Sequence, residues 1–309
     1  MIPAEWAPHR ATWLAWPYRD DEWTDLSAAQ NEIRAFIEAI ASTERVDLLV
    51  HPSIVEPPTF SGNVSIHRIA YGDAWTRDTF PIFTSDGRAI VFGFDGWGGK
   101  YRMPGDEDLS ARIAAHCGLD AVASDLVLEG GALEFDGAGN VLTTRACVAL
   151  RNPSKGDAAF KDLARVLQCE VWAIDGTLQN DHTDGHIDTL ARFVEPGRVL
   201  CMHGRTGDPN RDAMRSIAKQ LARLGLHVDL VPSPGEVRTA DGTLLPASYC
   251  NYYLANDLLL VPTYGVPNDA EAVETIGALF PGRRAQGIPS RAILEGGGAL
   301  HCITQQHPA

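Results

Sequence analysis

The chain has 309 residues, 45% of them hydrophobic, so it can bury a substantial core in one large domain or in two ordinary ones. Its formal net charge of −14 argues against a nucleic-acid-binding protein and is compatible with a cationic ligand, although many cytosolic proteins are acidic for solubility alone. No apolar run is long enough to span a bilayer, and residues 1–10 lack the features of a secretory signal, so we expect a cytoplasmic protein without membrane segments.

The first half of the chain alternates predicted helices with predicted strands. The segment SAAQNEIRAFIEAIAS has apolar residues at helical spacing, and Ser27 with Gln30 forms a candidate capping box. Strands are predicted for VDLLV, RAIVFGF and NVLTTRACVAL, a helix for GDAAFKDLARVL, and a buried strand for EVWAI.

The second half continues the alternation and adds a hairpin. Two apolar runs in ARFVEPGRVLCM flank Pro196-Gly197 and predict paired strands. PNRDAMRSIAKQLARLG predicts a helix that ends at Gly225, and NDAEAVETIGALF predicts a helix capped by Asn268.

Hairpins within a strand-helix alternation indicate a repeated mixed unit rather than a plain doubly wound sheet. The sequence L-E-G-G occurs twice, at 128–131 and at 294–297. We therefore predict several similar β/α modules around an axis, with loops meeting at the centre. Pro and Gly are spread throughout the chain, so residues 1–309 are expected to form a single catalytic domain.

The six cysteines, at 117, 147, 169, 201, 250 and 302, include no C-x-x-C pair. This pattern predicts neither a zinc ribbon nor a disulfide scaffold, and five of the six are expected to be small buried hydrophobic residues. The sixth, Cys302, follows three glycines in LEGGGALHCITQQ and is a candidate for another role.

Polar residues cluster in three further segments at predicted strand ends or glycine turns, where rigid scaffolds commonly place functional groups. They are Trp75 and Asp78 in DAWTRDTFPIF, Glu129 in LVLEGGALEF, and His186 and Asp188 in NDHTDGHIDTLARF. Each has a structural alternative. Asp78 could pair with Arg77, Glu129 could be a solvated strand end, and the H-x-D pair could bind a metal if a third ligand lay elsewhere.

Considered together, a thiol, a histidine and three carboxylates suit a cationic electrophile. Carboxylates around a thiol raise its pKa and suppress the thiolate, so a positive substrate is needed to offset them. A guanidinium group is planar and permanently charged, and Asp78 and Asp188 could hold it by paired hydrogen bonds while Cys302 attacks its central carbon.

The residues also carry a family resemblance that spans nearly the whole chain. Its motifs are PAEWAPHRATWLAWP, DAWTRDTFPIF, WGGK, LEGGALEFDGAGNVLTT, RNPS, TDGHIDTLARFVEPG, LPASYCNYYLAN, VPNDAEA and GGGALHCITQQHPA. The chain resembles agmatine deiminases, in the bacterial-type peptidylarginine-deiminase group of the guanidino-group-modifying superfamily. The resemblance implies a pentein-type α/β propeller with pseudo-fivefold ββαβ modules, which agrees with the modular repeat, and it suggests a homodimer.

The resemblance also implies residue roles. Cys302 would be the nucleophile, and His186 would be the general acid and base. Asp78 and Asp188 would be the guanidinium ligands, and Glu129 would be a further carboxylate that binds the substrate or orients the histidine. Trp75 would form a wall of the substrate pocket, with a core tryptophan as the alternative. The implied reaction converts agmatine and water to N-carbamoylputrescine and ammonia through a covalent cysteine thiouronium, without a metal or an organic cofactor.

Two departures from the family pattern bear on the substrate. His182 stands where the family usually has glutamate, and DTFPIF replaces the more usual D-T-G-P. The chain is also shorter than typical agmatine deiminases between LVPSPGE and LPASYCN. Peptidyl arginine or another guanidino compound is therefore an alternative substrate. A non-catalytic guanidinium-binding protein is a second alternative, and a metal-dependent hydrolase is a third.

Overall fold

The computed structural model describes residues 1–309. The strands are β1 His9–Ala15, β2 Val46–Leu49, β3 Val64–His67, β4 Ile82–Phe83, β5 Arg88–Gly93, β6 Asp120–Val127, β7 Glu134–Phe135, β8 Asn140–Thr144, β9 Glu170–Ile174, β10 Ala191–Glu195, β11 Arg198–His203, β12 His227–Pro232, β13 Tyr253–Leu254, β14 Leu258–Thr263, β15 Arg284–Pro289 and β16 Gln305–Pro308. The α-helices are α1 Leu26–Ala41, α2 Thr76–Thr79, α3 Gly96–Gly99, α4 Leu109–His116, α5 Arg145–Arg151, α6 Ala158–Leu167, α7 Arg211–Arg223, α8 Asp269–Leu279 and α9 Arg291–Gly296. Short 3-10 turns cover Gly130–Ala132, Ile187–Thr189 and Tyr249–Asn251.

The strands form five small sheets with one shared plan. In the sheets β4-β5-β6, β7-β8-β9, β10-β11-β12 and β13-β14-β15, the first two strands pair antiparallel as a hairpin. The third strand returns parallel to the second after a helix, which is α4, α6, α7 or α8 in turn. The predicted α/β propeller of five ββαβ modules is thus confirmed.

The remaining sheet joins the two ends of the chain. Strand β16 pairs antiparallel with β1, and β1 pairs parallel with β2 after α1, so both termini build one ββαβ module. Strand β3 adds a further parallel partner at the edge of β2. This pairing closes the ring of modules.

Apolar faces of the helices pack against the sheets. Helix α1 buries Ile33, Phe36, Ile37 and Ile40, the residues whose spacing predicted it. Helix α7 ends just before Gly225, which has a φ of 85° and thus takes the left-handed conformation typical of a helix terminus. None of the helices is both long and apolar enough to cross a bilayer.

Four local predictions differ from the structure. Asp25 rather than Ser27 caps α1, through the amide of Ala28. In NVLTTRACVAL the strand stops at Thr144, where helix α5 begins. Within EVWAI only Ile174 is buried. Asn268 precedes α8, but its side chain bonds to the Ser233 carbonyl instead of capping the helix.

All six cysteines are free thiols, and Cys147, Cys201, Cys250 and Cys302 are buried. The expectation of burial is wrong for Cys117 and Cys169, which are partly exposed.

Candidate active site

Every module is preceded by a short helical turn just before its first strand, and these five turns bring the polar residues together. Asp78 lies in α2 before β4, Glu129 adjoins the turn before β7, and His186 and Asp188 lie at the turn before β10. Asn251 ends the turn before β13. Cys302 lies in the turn that precedes β16, so the fivefold plan of the fold also organises the site.

Cys302 is held by a residue that sequence reasoning did not single out. The Asn251 side-chain amide donates to Cys302 Sγ at 3.2 Å, and its oxygen accepts from the backbone amides of His301 and Cys302. Asp188 Oδ2 lies 3.7 Å from the sulfur. Burial, with the charges of Asp188 and Asp78, raises the pKa of the Cys302 thiol well above its ordinary value. The thiol is therefore protonated in the free protein.

Asp188 has one engaged oxygen and one unengaged oxygen. Its Oδ2 accepts a hydrogen bond from His301 Nδ1 at 2.7 Å, whereas Oδ1 is buried without a partner. Burial alone raises the pKa of Asp188, but the bond from His301 and its charge bring that pKa below the ordinary value. An ionised, unpartnered oxygen is thus available for a cationic ligand.

Asp78 is held by neutral donors. Its Oδ1 accepts from the Gly131 amide at 3.0 Å, and its Oδ2 accepts from Trp97 Nε1 at 2.9 Å. Burial, with the charges of Asp188 and Glu129, raises the pKa of Asp78 above its ordinary value. The alternative pairing of Asp78 with Arg77 does not occur, because Arg77 turns away toward Glu5 and Gln306.

His186 presents one ring nitrogen to the protein and one to the site. Nε2 lies 3.4 Å from Glu129 Oε2, whereas Nδ1 has no hydrogen-bond partner and lies 3.8 Å from Asp78 Oδ1. Burial alone lowers the pKa of His186, but Asp78, Cys147 and Glu129 raise it well above the ordinary value. The arrangement suits a proton donor at Nδ1.

Glu129 is fully buried and paired with a cation. Arg151 Nε donates to Glu129 Oε1 at 2.6 Å, and Arg151 Nη1 reaches Asp184 at 2.7 Å. Burial raises the pKa of Glu129, but His186 and Arg151 bring it below the ordinary value. Ligand-type atoms of Glu129, Cys147 and His186 lie within 4.8 Å of one another, but a metal ion there would compete with Arg151 for Glu129. Asp188 is not part of that cluster, so the predicted H-x-D pair does not form a joint ligand set.

A cavity of about 210 Å³ opens above Cys302 and Asp78. Trp75 lines it and stacks on Trp23 with ring centroids 5.4 Å apart. Both indole nitrogens donate to the buried carboxylate of Asp73, whose pKa burial raises to about 6. Trp97 forms a further aromatic part of the wall.

The rim of this cavity is acidic. His182 lies there, stacked on Tyr101, with its Nδ1 2.8 Å from the Tyr101 hydroxyl. Glu22 and Glu295 also line the cavity, and the lining includes no lysine or arginine. The carboxylates of the lining favour a cation over an anion in the cavity, and two of them, Glu22 and Glu295, also pair with Arg19 and Arg291.

Two glycines make the close packing at the site possible. A Cβ at Gly131 would lie 2.6 Å from His186 Nδ1 and 2.8 Å from Asp78 Oδ1. A Cβ at Gly298 would lie 2.9 Å from Cys302 Cβ and 2.7 Å from the Trp75 ring. The last glycine of the first L-E-G-G copy and the glycine just after the second copy thus leave room for site side chains.

The structure brings Cys302, His186, Asp188, Asp78, Glu129 and Trp75 to one place. Sequence reasoning missed Trp97, Arg151 and Asn251. All three stand in motifs that carried the resemblance, namely WGGK, RNPS and LPASYCNYYLAN.

The model of the Porphyromonas-type peptidyl-arginine deiminase family matches residues 1–308. The chain belongs to this family. Relatives of the family include the agmatine deiminase of Ectopseudomonas mendocina strain ymp, 33% identical, with 100% of this chain and 95% of the relative aligned. The agmatine deiminase of Pseudomonas aeruginosa strain LESB58 is likewise 33% identical, with the same coverage. Its alignment extends over 354 positions, so that relative carries residues that this shorter chain lacks.

A solved structure supports the same membership. The agmatine deiminase of Enterococcus faecalis superposes with a TM-score of 0.91 at 27% identity, over 99% of this chain and 95% of the other.

Proposed function

We propose that this chain hydrolyses the guanidino group of a small cationic compound, with agmatine as its preferred substrate. The observation that carries the proposal is the placement of the Cys302 thiol beside Asp188 and under a cavity whose lining has carboxylates and no basic side chain other than His182. Agmatine has a guanidinium at one end and an ammonium at the other, so both ends meet negative charge. Relatives named agmatine deiminase support the choice.

The guanidinium would bind the free oxygen of Asp188 and the carboxylate of Asp78, above the sulfur of Cys302. Its positive charge offsets the two carboxylates that raise the pKa of the thiol, so binding of the substrate favours release of the thiol proton to solvent and formation of the thiolate. Deprotonation of the nucleophile is thus coupled to the presence of the correct cation.

The thiolate adds to the guanidinium carbon, and the carbon–nitrogen bond breaks as His186 Nδ1 protonates the leaving ammonia. A thiouronium remains on Cys302. Neutral His186 then takes a proton from water, whose oxygen attacks the same carbon, and the carbon–sulfur bond breaks. The products are the ureido compound and the free thiol. The roles of Cys302, His186, Asp78, Asp188 and Glu129 are proposals, as is that of Trp75 as a wall beside the alkyl chain.

The distal amine would be met at the rim by Glu22 and Glu295. This location compensates for His182, which offers no fixed negative charge at the position where the resemblance leads one to expect glutamate. Free arginine would place its α-carboxylate against the same acids, which is a like-charge contact that costs several kcal/mol.

Peptidyl arginine is the second candidate substrate, because the matching family is described by that activity. A panel of agmatine, free arginine and an N- and C-blocked arginine peptide, assayed for ammonia and ureido product, separates the candidates. We expect kcat/KM for agmatine to exceed that for arginine by about 100-fold or more. Equal or faster turnover of arginine would contradict the proposed preference, and fastest turnover of the peptide would assign the second candidate.

The Cys302→Ala variant distinguishes a hydrolase from a guanidinium-binding protein. We expect no ureido product from it, and turnover at the normal rate would refute the covalent mechanism. The homodimer, the single-domain organisation and the cytoplasmic location stay predictions.

A further inference from the structure

Behind the candidate active site, three buried side chains form a continuous chain of hydrogen bonds. Glu5 Oε2 lies 2.7 Å from His301 Nε2, and His301 Nδ1 lies 2.7 Å from Asp188 Oδ2. All three side chains are almost fully buried. Neither Glu5 nor His301 lines the substrate cavity; both face a separate small cavity that Arg77 and Glu134 also line. These hydrogen bonds therefore connect Glu5 and His301 to the substrate cavity only through Asp188.

Glu5 is fixed by donors from several modules. Its Oε1 accepts from the Leu254 amide at 2.9 Å and lies 3.0 Å from Arg192 Nη2. Its Oε2 lies 3.5 Å from Arg77 Nη2. Burial raises the pKa of Glu5, but Arg192, His301 and Arg77 bring it well below the ordinary value, so Glu5 is an anion.

His301 lies between two carboxylates that can only accept hydrogen bonds when ionised. Each ring nitrogen therefore faces a carboxylate acceptor, at 2.7 Å in both cases. Charge-assisted bonds of this kind are roughly twice as strong as neutral ones. The His301 backbone is also fixed, since its amide donates to Asn251 Oδ1 at 3.0 Å.

The two carboxylates assigned to the guanidinium thus differ in the groups that donate hydrogen bonds to them and in the direction of their pKa shifts. Asp78 accepts hydrogen bonds from the Gly131 amide and the Trp97 indole, with His186 Nδ1 3.8 Å away, and its pKa is raised. Asp188 accepts a hydrogen bond from the His301 ring at 2.7 Å, and its pKa is lowered. With Oδ2 occupied by His301, only Oδ1 of Asp188 is left for a ligand.

We propose that Glu5 and His301 are positioning residues that fix Asp188 Oδ2, so that an ionised Oδ1 points at the guanidinium of the substrate. This inference rests on the proposed function and deepens it. It gives a role to His301, which adjoins Cys302 in sequence. The two ring nitrogens of His301 are engaged with carboxylates and not with the thiol.

The Glu5→Gln variant tests the first link. Because Leu254 N–H and Arg192 require an oxygen at the Oε1 position, the new amide nitrogen faces His301 Nε2. That nitrogen must then accept, and the bond to Asp188 becomes neutral. We expect KM for agmatine to rise about tenfold while kcat changes less than about threefold.

Glu134→Gln is the matched control. Glu134 is equally buried and bonds to the same Arg192 at 2.8 Å, but no hydrogen bond or ion pair joins it to His301. We expect its KM to stay within about twofold of wild type. An equal rise of KM in both variants, or no rise in Glu5→Gln, would overturn the inference, because the effect would then come from the buried charge network or be absent.

The pair His301→Asn and His301→Ala tests the second link. The asparagine amide can replace Nδ1 as a donor to Asp188, whereas alanine leaves Asp188 Oδ2 without a donor. We expect KM to rise about 100-fold in His301→Ala and about tenfold or less in His301→Asn. Equal KM values in the two variants would contradict the assignment.

Nitrogen-15 NMR of the histidine rings gives a readout that does not need turnover and remains available if Glu5→Gln does not fold. In the wild-type chain at neutral pH, we expect the signal that disappears in His301→Asn to show two protonated ring nitrogens. A neutral ring would overturn the inference. A wild-type chain with this signal but without turnover of any guanidino compound would instead contradict the proposed function.

Discussion

The two L-E-G-G copies share a sequence but not a local structure. In the first copy, Glu129 follows strand β6 in extended conformation and is fully buried against Arg151 and His186. In the second copy, Glu295 lies within helix α9, its side chain is about one-fifth exposed, and it pairs with Arg291 near the rim of the cavity. The glutamate of the motif is thus buried in the interior in the first copy and lies at the cavity rim in the second.

The segments after the glycines differ as well. After Leu133 the first copy enters β7 at once, whereas after Ala299 the second copy makes a turn that holds His301 and Cys302 before β16 begins at Gln305. What the copies share is the closeness of a glycine to site atoms. The repeat therefore preserves access to the centre of the ring, while the chemistry depends on what precedes and follows the glycines.

The same substitution in both copies gives the largest expected contrast. Glu129→Gln removes the negative charge beside His186 and leaves Asp184 as the remaining carboxylate partner of the buried Arg151, so we expect kcat to fall about 100-fold. Glu295→Gln should leave kcat within about twofold and raise KM for agmatine about threefold. Steady-state kinetics measure both, with circular dichroism as the control for folding. Equal losses of kcat would mean that the two glutamates do not differ in role.

Alanine at the glycine that precedes Ala132 or Ala299 is expected to have the next largest effect. Gly131→Ala pushes against His186 and Asp78, and Gly298→Ala pushes against Cys302 and Trp75. A displacement of reacting groups by about 1 Å can cost about 100-fold in rate, and we expect kcat/KM to fall by about that factor in each variant. Gly282→Ala is the control, because no atom lies within 4 Å of its new Cβ. Activity unchanged by Gly131→Ala would show that the glycine is not needed for access.

The pH profile distinguishes the copies more subtly. Glu129 helps to raise the pKa of His186, and therefore Glu129→Gln should lower that pKa. The limb of the kcat/KM profile that reports His186 should move to lower pH in Glu129→Gln. Glu295→Gln should keep both limbs in place. Movement of a limb to higher pH in Glu129→Gln would contradict the electrostatic account.

Removal of metal ions should have no effect. Glu129, Cys147 and His186 lie close enough to hold a cation, but Arg151 already supplies positive charge to Glu129. Dialysis against a chelator should leave kcat/KM for agmatine unchanged. A loss of activity that added zinc restores would favour a metal-dependent hydrolase.

The sequence predicted the modular fold because periodicity and turn residues are local signals. It also predicted Cys302, His186, Asp188, Asp78 and Glu129 as site residues, and the structure brings these side chains together, while their roles stay predictions. The sequence could not show which of two nearby polar residues caps a helix. Asp25 rather than Ser27 caps α1, because the Asp25 carboxylate reaches the Ala28 amide.

Contacts between segments that are distant in the chain also could not be predicted from the sequence. Asn251, Trp97 and Arg151 act through partners that lie 51, 19 and 22 residues away in the chain, and nothing in their own surroundings reveals those partners. The pairing of Glu5 with His301 joins positions 296 residues apart. Such pairs become visible only when the ring of modules closes.

The most direct test of the account is a search for the covalent intermediate on Cys302. Agmatine is mixed with the wild-type chain, the reaction is quenched with acid within the first turnovers, and the protein is digested and examined by mass spectrometry. We predict that the peptide containing Cys302 gains the mass of agmatine less ammonia, and that Cys147 and Cys201 stay unmodified. Turnover of agmatine without this adduct, or with full activity retained in Cys302→Ala, would contradict the account.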